Sequence, residues 1–327
     1  MSSLEPQPFE RGPVSPPAYD SFDDVPRAVA AAEPPRDRIW LHALLLLLTL
    51  VTTTFIGTIA YRGFLSVVYL RRVPWSWYVI QGGLYWYAIP ALSILGAHEM
   101  GHYLACRYYR INASLPYFIP FPSIFGTLGA VIRIREPLRT KRMLFDVGVA
   151  GPIAGFVVAV PALILGMMWS PAVRIPAQLR GGELGEPLIF KLATYFIHGN
   201  LPKGVDINTH PLLYAAWFGF FATALNLIPV GQLDGGHIAY ANLGRRANYV
   251  TYVMLAIMFV LGLTVSSNWL FWSVLMLGML YLFGWKHPQT ADENDSLGTA
   301  RILVTLFAVL MFILCFTPVP LVDLVRR

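Results

Sequence analysis

The chain has 327 residues, of which 56% are hydrophobic and only 13% are charged. Soluble globular domains carry about 25% charged residues, so this composition excludes an ordinary soluble protein and indicates a membrane protein. The formal net charge of +6 does not indicate nucleic-acid binding, because the arginines lie in short segments between apolar runs, where they orient membrane helices.

Residues 1–38 are rich in proline, alanine and acidic residues and lack apolar periodicity, which predicts a disordered cytosolic tail. No secretory signal is expected, since the first apolar run follows a long polar segment and no small-residue cleavage site follows that run. Residues 39–327 are predicted to form an all-α polytopic membrane domain with six to seven transmembrane helices. The apolar runs are 40–61, 77–109, 143–169, 211–228, 249–265, 269–285 and 300–316.

The second apolar run contains the segment His98-Glu99-Met100-Gly101-His102. On a helix the two imidazoles project from one face and can bind one metal ion, while Glu99 can reach a water molecule on that metal. The alternative is a pair of histidines packed among aromatic residues. Two imidazoles and a carboxylate on one turn of a membrane helix are costly unless they bind something, which favours a metal site. Zinc would need a third protein ligand, with water in the fourth position.

Residues 115–134 interrupt the helical pattern. Prolines in the first part exclude a continuous helix, and the later part alternates like a β-strand. Non-helical backbone within a membrane persists only where protein or water satisfies its polar groups. We therefore expect a re-entrant loop or β-hairpin beside the histidine helix, with an edge strand that could pair with an extended peptide.

The third apolar run begins with residues 145–155, whose small side chains permit close helix contact. Asp146 in this segment is predicted to form a structural ion pair rather than to catalyse. The loop at 170–209 is too short for a soluble domain, and its residues 187–196 predict a short interfacial helix. We expect the ionisable residues in this loop and just after it to be solvated, although they could bind a metal in principle: Glu183, Glu186, Asp206 and His210.

The third metal ligand must come from a distant segment, for which Asp234 is the strongest candidate. It follows the fourth apolar run, is separated from it by Pro229 and Gly231, and precedes two glycines that permit close backbone approach. Taken alone, an Asp-Gly-Gly turn with a solvated carboxylate is an equally good interpretation. The ligand position left open by the two histidines favours Asp234. His237 could be a partner or alternative ligand, but a turn histidine near the membrane surface is favoured.

The His-Glu-x-x-His segment, followed by Asn226-x-x-Pro-x-x-x-x-Asp234-Gly, resembles the site-2 protease family of intramembrane metalloproteases. The resemblance extends to residues 145–155 and covers most of 77–243. It implies that one zinc ion is bound by His98, His102 and Asp234. It also implies that Glu99 is the catalytic base and that Asn226 helps to hold the substrate or the oxyanion. Many bacterial members carry a PDZ domain between the third and fourth spans, so the short 170–209 loop indicates the PDZ-less branch.

The resemblance implies an intramembrane zinc metalloprotease with a catalytic core at 77–243 and extra C-terminal helices at 248–317. Its expected reaction is hydrolysis of peptide bonds in or near the transmembrane helices of membrane-protein substrates, as in regulated intramembrane proteolysis. The expected partners are single-span or helical membrane proteins and the lipid bilayer, without nucleic acid, and a homo-oligomer is left open. Two rival functions are a transporter or channel with an intramembrane metal or proton site and an inactive protease-like scaffold.

The expected location is a bacterial cytoplasmic membrane, crossed several times, with the amino terminus in the cytosol. The basic segments 107–142, 245–246 and 286–301 then lie on the cytosolic side, in agreement with the positive-inside tendency. Arginines 62, 71 and 72 lie on the opposite side and depart from that tendency.

Overall fold

The computed structural model describes residues 37–175, 183–284, 290–292 and 296–322. The predicted disordered tail lies outside the described residues except for its last two, of which Asp37 forms an ion pair with Arg135. Ten α-helices occur in the described parts of the chain. They are α1 Ile39–Val68, α2 Trp77–Gly83, α3 Ile89–Tyr108, α4 Lys141–Met168, α5 Leu188–His198, α6 Pro211–Leu227, α7 Asp234–Leu243, α8 Ala247–Thr264, α9 Asn268–Phe283 and α10 Thr299–Cys315.

Four helices are long and apolar enough to cross a membrane: α1, the helix Trp77–Tyr108, α4 and the helix Asp234–Thr264. The helix Trp77–Tyr108 joins α2 and α3 through a π-helical turn, and Asp234–Thr264 contains α7 and α8. The other apolar helices α5, α6, α9 and α10 are shorter. A helix of 17 residues, such as α6, is about 26 Å long, slightly less than the hydrocarbon core of a bilayer. The expected six to seven spans therefore stay a prediction.

Helices α3, α4 and α6 form the centre around which the site is built. A Cβ atom on Gly101 of α3 would lie 2.4 Å from the carbonyl oxygen of Ala150 in α4, so the two backbones are in contact. A Cβ atom on Gly219 of α6 would lie 2.6 Å from the Ile94 side chain of α3. The predicted close contact through small residues of α4 is thus confirmed.

Six short β-strands form three antiparallel pairs in the described residues. The strands are β1 Tyr117–Pro120, β2 Thr127–Val131, β3 Ala172–Val173, β4 Glu183–Leu184, β5 Asp206–Ile207 and β6 Leu321–Val322. Strands β1 and β2 form a hairpin beside α1 and α3, with Tyr117 opposite Val131 and Phe118 opposite Ala130. The β-strand pair expected at 115–134 is therefore present, and its depth in a membrane stays a prediction.

The tip of this hairpin is fixed by hydroxyl groups from three different helical segments. The Tyr87 hydroxyl donates to the Phe125 carbonyl at 2.9 Å, and the Tyr214 hydroxyl donates to the Ile124 carbonyl at 2.7 Å. Thr52 of α1 donates to the carbonyl of Gly126 at 2.6 Å. Gly126 has a φ of +80°, and a Cβ there would lie 2.7 Å from the Thr52 carbonyl, so only glycine fits.

Candidate metal centre

Helix α3 carries His98, Glu99 and His102, whose side chains are buried and less than 8% exposed. Because His98 and His102 are four residues apart, their rings lie one above the other on the same face, with centroids 4.9 Å apart. That face is turned towards α4 and α7. Three ionisable side chains are thereby buried on a single helical turn.

Asp234 completes a triangle of donor atoms with the two histidines. The Nε2 atoms of His98 and His102 are 3.2 Å apart, and the Oδ2 atom of Asp234 lies 3.1 Å from the first and 3.4 Å from the second. A tetrahedral zinc ion with bonds of about 2.0–2.2 Å holds its donors about 3.3–3.6 Å apart, so the triangle is close to the size that such an ion needs. Within the residues that the structure describes, this is the one group of three or more His, Cys, Asp or Glu donors close enough to hold a metal.

The ring nitrogen of His102 that lies outside the triangle has its own hydrogen bond, which selects the tautomer of the neutral imidazole. Nδ1 of His102 lies 2.7 Å from the carbonyl oxygen of Val147 in α4. A carbonyl oxygen can only accept, so Nδ1 carries the proton and the lone pair of Nε2 is directed into the donor triangle. This is the usual outer partner of a metal-binding imidazole.

Glycines of α4 make room for the imidazoles. A Cβ atom on Gly151 would lie 2.0 Å from Nε2 of His102, and one on Gly155 would lie 3.1 Å from the His98 Cβ. A Cβ on Gly148 would lie 2.9 Å from the Cβ of His237 in α7. These three residues, spaced i, i+3 and i+7, form one helix face that receives α3 and α7.

Replacement of Gly151 by alanine is expected to weaken zinc binding by about 10- to 100-fold, because the new methyl group would occupy the space of the His102 ring nitrogen. The measurement is zinc affinity by competition with a chromogenic chelator. Gly278→Ala in α9 is the matched control, because its Cβ would meet nothing within 4 Å and it shares the gain in helix propensity. Wild-type affinity in Gly151→Ala would contradict the described packing.

Asp234 is the first residue of helix α7 rather than part of a loop. Gly235 and Gly236 bring this helix end against the preceding chain: their Cβ atoms would lie 2.1 Å from the Leu227 carbonyl oxygen and 2.2 Å from that of Gly231. The expected close approach is confirmed, and the alternative of a solvated Asp-Gly-Gly turn is wrong. His237 also lies in α7, so its interpretation as a turn residue is wrong, and it does not join the donor triangle.

Glu99 and Asn226 lie beside the triangle without belonging to it. The backbone of Ile132, just beyond β2, lies close to the Glu99 carboxylate. Nδ2 of Asn226, near the end of α6, lies 3.1 Å from Nε2 of His98. A carboxylate and an amide thus border the space between the donors.

Two other sequence predictions concern residues outside the triangle. Asp146 forms the predicted ion pair, with Arg301 of α10, at 2.7 Å. Glu186, Asp206 and His210 do not form a metal-donor group within the described chain, and the side chain of Glu183 lies outside the described atoms. The contributions of Val147 and Gly151 were not anticipated, although the glycine spacing in α4 is a signal that could have located the second.

The part of the chain that matches known proteins contains these residues. The family model described as peptidase family M50 matches residues 86–264, which include the donor triangle, Glu99 and Asn226. The curated protein "Probable zinc metalloprotease EGY2, chloroplastic" of Oryza sativa subsp. indica is 31% identical over 253 residues, covering 75% of this chain and 46% of that protein. "Probable zinc metalloprotease EGY1, chloroplastic" of Arabidopsis thaliana is 31% identical over 247 residues, covering 71% of this chain and 42% of that protein.

The chain spans less than half the length of these two relatives. No solved structure matches it. The family model covers more than half of the chain and includes the donor triangle, and the relatives are named as zinc metalloproteases. The chain therefore belongs to peptidase family M50, the site-2 protease family.

Proposed function

We propose that this protein is a membrane-embedded zinc metalloendopeptidase that hydrolyses peptide bonds in or near the transmembrane helices of membrane-protein substrates. The observation that carries the proposal is the donor triangle of the buried His98 and His102 with the half-buried Asp234, beside which the buried Glu99 carboxylate lies. Two imidazoles and one carboxylate in a tetrahedral arrangement favour zinc, with one ion per chain.

When bound, the zinc ion supplies a Lewis acid that makes water nucleophilic and polarises the peptide carbonyl. Glu99 takes the proton of the attacking water and delivers it to the leaving amine. The Ile132 backbone, close to the Glu99 carboxylate, limits where that carboxylate can move. The Asn226 amide, close to His98, donates to the oxyanion that develops on the substrate. Its position supports this role because a preorganised donor acts most strongly in a buried site.

The substrate must be extended where it is cut, because a helix hides its peptide groups in internal hydrogen bonds. Strand β1 packs along α1, whereas β2 exposes the side chains of Leu128 and Val131. The backbone that follows β2 contacts Glu99 through Ile132. We infer that an unwound substrate segment pairs with β2, which would direct its peptide bonds towards the catalytic carboxylate.

Two rival functions are less well supported. A transporter would require polar groups along a pathway, whereas the described chain has one compact donor cluster. An inactive scaffold would commonly lack one of the catalytic residues, all of which are present. The apolar helices are consistent with membrane insertion. The named relatives are chloroplastic, so a location in the bacterial cytoplasmic membrane with a cytosolic amino terminus stays a prediction. The homo-oligomer also stays a prediction, as does the division into a core at 77–243 and extra helices at 248–317.

The test uses the full chain purified in detergent, with zinc measured per chain and a single-span helical protein as substrate. We expect about one zinc ion per chain and cleavage that stops with a zinc chelator and returns with added zinc. Protein without stoichiometric metal would overturn the proposal. Stoichiometric zinc without cleavage of any membrane substrate would favour the transporter or scaffold.

A further inference from the structure

Helix α10 lies outside the residues matched by the M50 family model, yet it contacts both helices that complete the metal centre. One of them, α4, holds His102 through the Val147 carbonyl. The other, α7, begins with Asp234. The histidines of α3 are thus supported by α4, whereas Asp234 belongs to α7, so the distance between the histidines and Asp234 depends on how α4 and α7 are held.

The contact of α10 with α4 is a two-point ion pair. Nε of Arg301 donates to Oδ1 of Asp146 at 2.9 Å, and Nη2 donates to Oδ2 at 2.7 Å. Asp146 immediately precedes Val147, whose carbonyl oxygen accepts the hydrogen bond from Nδ1 of His102. The Tyr109 hydroxyl, at the end of α3, donates to the same carboxylate. A paired guanidinium and carboxylate fix direction as well as distance, so this contact sets the turn of α4 that orients His102.

The contact of α10 with α7 lies one turn further along the same face. The Nδ2 group of Asn242, in the last turn of α7, donates to the Thr305 hydroxyl oxygen at 3.0 Å. Nδ2 of Asn242 also donates to the Ile238 carbonyl on its own helix at 2.8 Å, which fixes the amide. Because Arg301 and Thr305 are four residues apart, a single face of α10 reaches both helices.

Apolar packing continues this face beyond the polar contacts. Ala308 and Met311 of α10 are buried in one core cluster with Leu144 of α4 and Ile238 of α7. The segment before α10 is also attached to α4, since Oδ1 of Asp292 accepts from the Lys141 backbone at 2.8 Å. The attachment of α10 therefore adds buried apolar contacts to a partly exposed ion pair.

We propose that Arg301 and Thr305 are positioning residues through which α10 braces α4 against α7 and thereby sets the separation between the histidine pair and Asp234. This inference rests on the proposed function, because the braced site is taken to bind zinc. Neither residue touches the donor atoms, so both act through the helices that carry them.

The test measures zinc affinity by chelator competition, and the visible absorption of bound Co²⁺, in Arg301→Ala and Thr305→Val. We expect zinc binding to weaken by about tenfold in each variant, within the range known for outer partners of metal ligands. The Co²⁺ spectrum is expected to change because the Asp234 donor moves relative to the imidazoles. Arg301→Lys, which keeps one charged contact, is expected to recover most of the affinity.

Arg72→Ala and Thr264→Val are the matched controls. Arg72 is exposed, and the Thr264 hydroxyl bonds to the Val260 carbonyl on its own helix. All variants are compared as monodisperse fractions with wild-type helix content, so loss of folding is separated from loss of positioning. If Arg301→Ala does not fold, Arg301→Lys and Thr305→Val decide the question, with a smaller loss expected for Arg301→Lys than for Thr305→Val.

The double variant Asp146→Asn/Arg301→Gln tests whether the two residues act together. We expect the double variant to lose as much zinc affinity as Asp146→Asn alone or Arg301→Gln alone, rather than the sum of the two losses. Wild-type affinity and an unchanged Co²⁺ spectrum in the α10 variants would overturn the brace while leaving the proposed function intact. Absence of zinc binding in the wild-type protein would overturn both.

Discussion

Glu99→Gln is expected to lower the rate of peptide-bond hydrolysis by about 100- to 10,000-fold, because a general base contributes roughly that factor and an amide cannot take a proton at neutral pH. The amide has nearly the same shape as the carboxylate, and residue 99 is outside the donor triangle. Bound zinc should therefore stay at the wild-type level. The measurement combines the initial rate of substrate cleavage with zinc per chain.

Glu186→Gln is the matched control for this change, because Glu186 is an exposed carboxylate in the loop between α4 and α6. It should leave both the cleavage rate and the zinc content unchanged. If Glu99→Gln cleaved within a few-fold of the wild-type rate, another group would have to be the base. If it lost its zinc, Glu99 would instead be required for the metal centre itself.

Asp234→Ala is expected to weaken zinc binding by on the order of 100-fold or more and to abolish cleavage with it. Loss of a direct ligand should cost at least as much as loss of an outer partner. Only the two imidazoles would remain in the triangle, and two protein ligands are fewer than a catalytic zinc site ordinarily has. The measurement is zinc per chain after dialysis against a competing chelator.

Asp234 also begins a helix, where a negative charge stabilises the helix dipole by about 0.3–1 kcal/mol. Helix content must therefore be measured together with zinc. Asp206→Ala is the control, because this exposed carboxylate bonds the neighbouring Ile207 backbone and lies outside the donor group. Retention of zinc at wild-type affinity in Asp234→Ala would mean that a different residue supplies the third ligand.

The histidine pair was predictable because two identical ligands one helical turn apart leave a direct mark on the sequence. Asp234 was predictable only by combining the open ligand position with the family resemblance. The position of Asp234 at the start of a helix was not predictable, since two glycines ordinarily indicate a turn. Here the glycines instead allow close packing against the carbonyl groups of Leu227 and Gly231. The contribution of Val147 leaves no mark at all, because a backbone carbonyl is present at every position.

The number of membrane spans could not be settled from apolar runs alone. Helices such as α6 and α10 are mostly apolar but only 17 residues long, and part of their apolar surface is buried against other helices rather than facing outwards. Hydropathy does not distinguish these two environments. The link from Arg301 to Asp146 spans 155 residues and has no local pattern that could have predicted it.

The docking of the hairpin tip has a consequence for the order of folding. Tyr214, which donates to the Ile124 carbonyl, lies 90 residues later in the chain. The tip therefore cannot make this hydrogen bond until α6 has been synthesised and packed, long after the strands themselves have been made. During synthesis the incomplete chain therefore carries both histidines before α6 has anchored the tip of the β1–β2 hairpin. The helix that carries the histidines is thus made well before the hairpin proposed to bind the substrate is fully anchored.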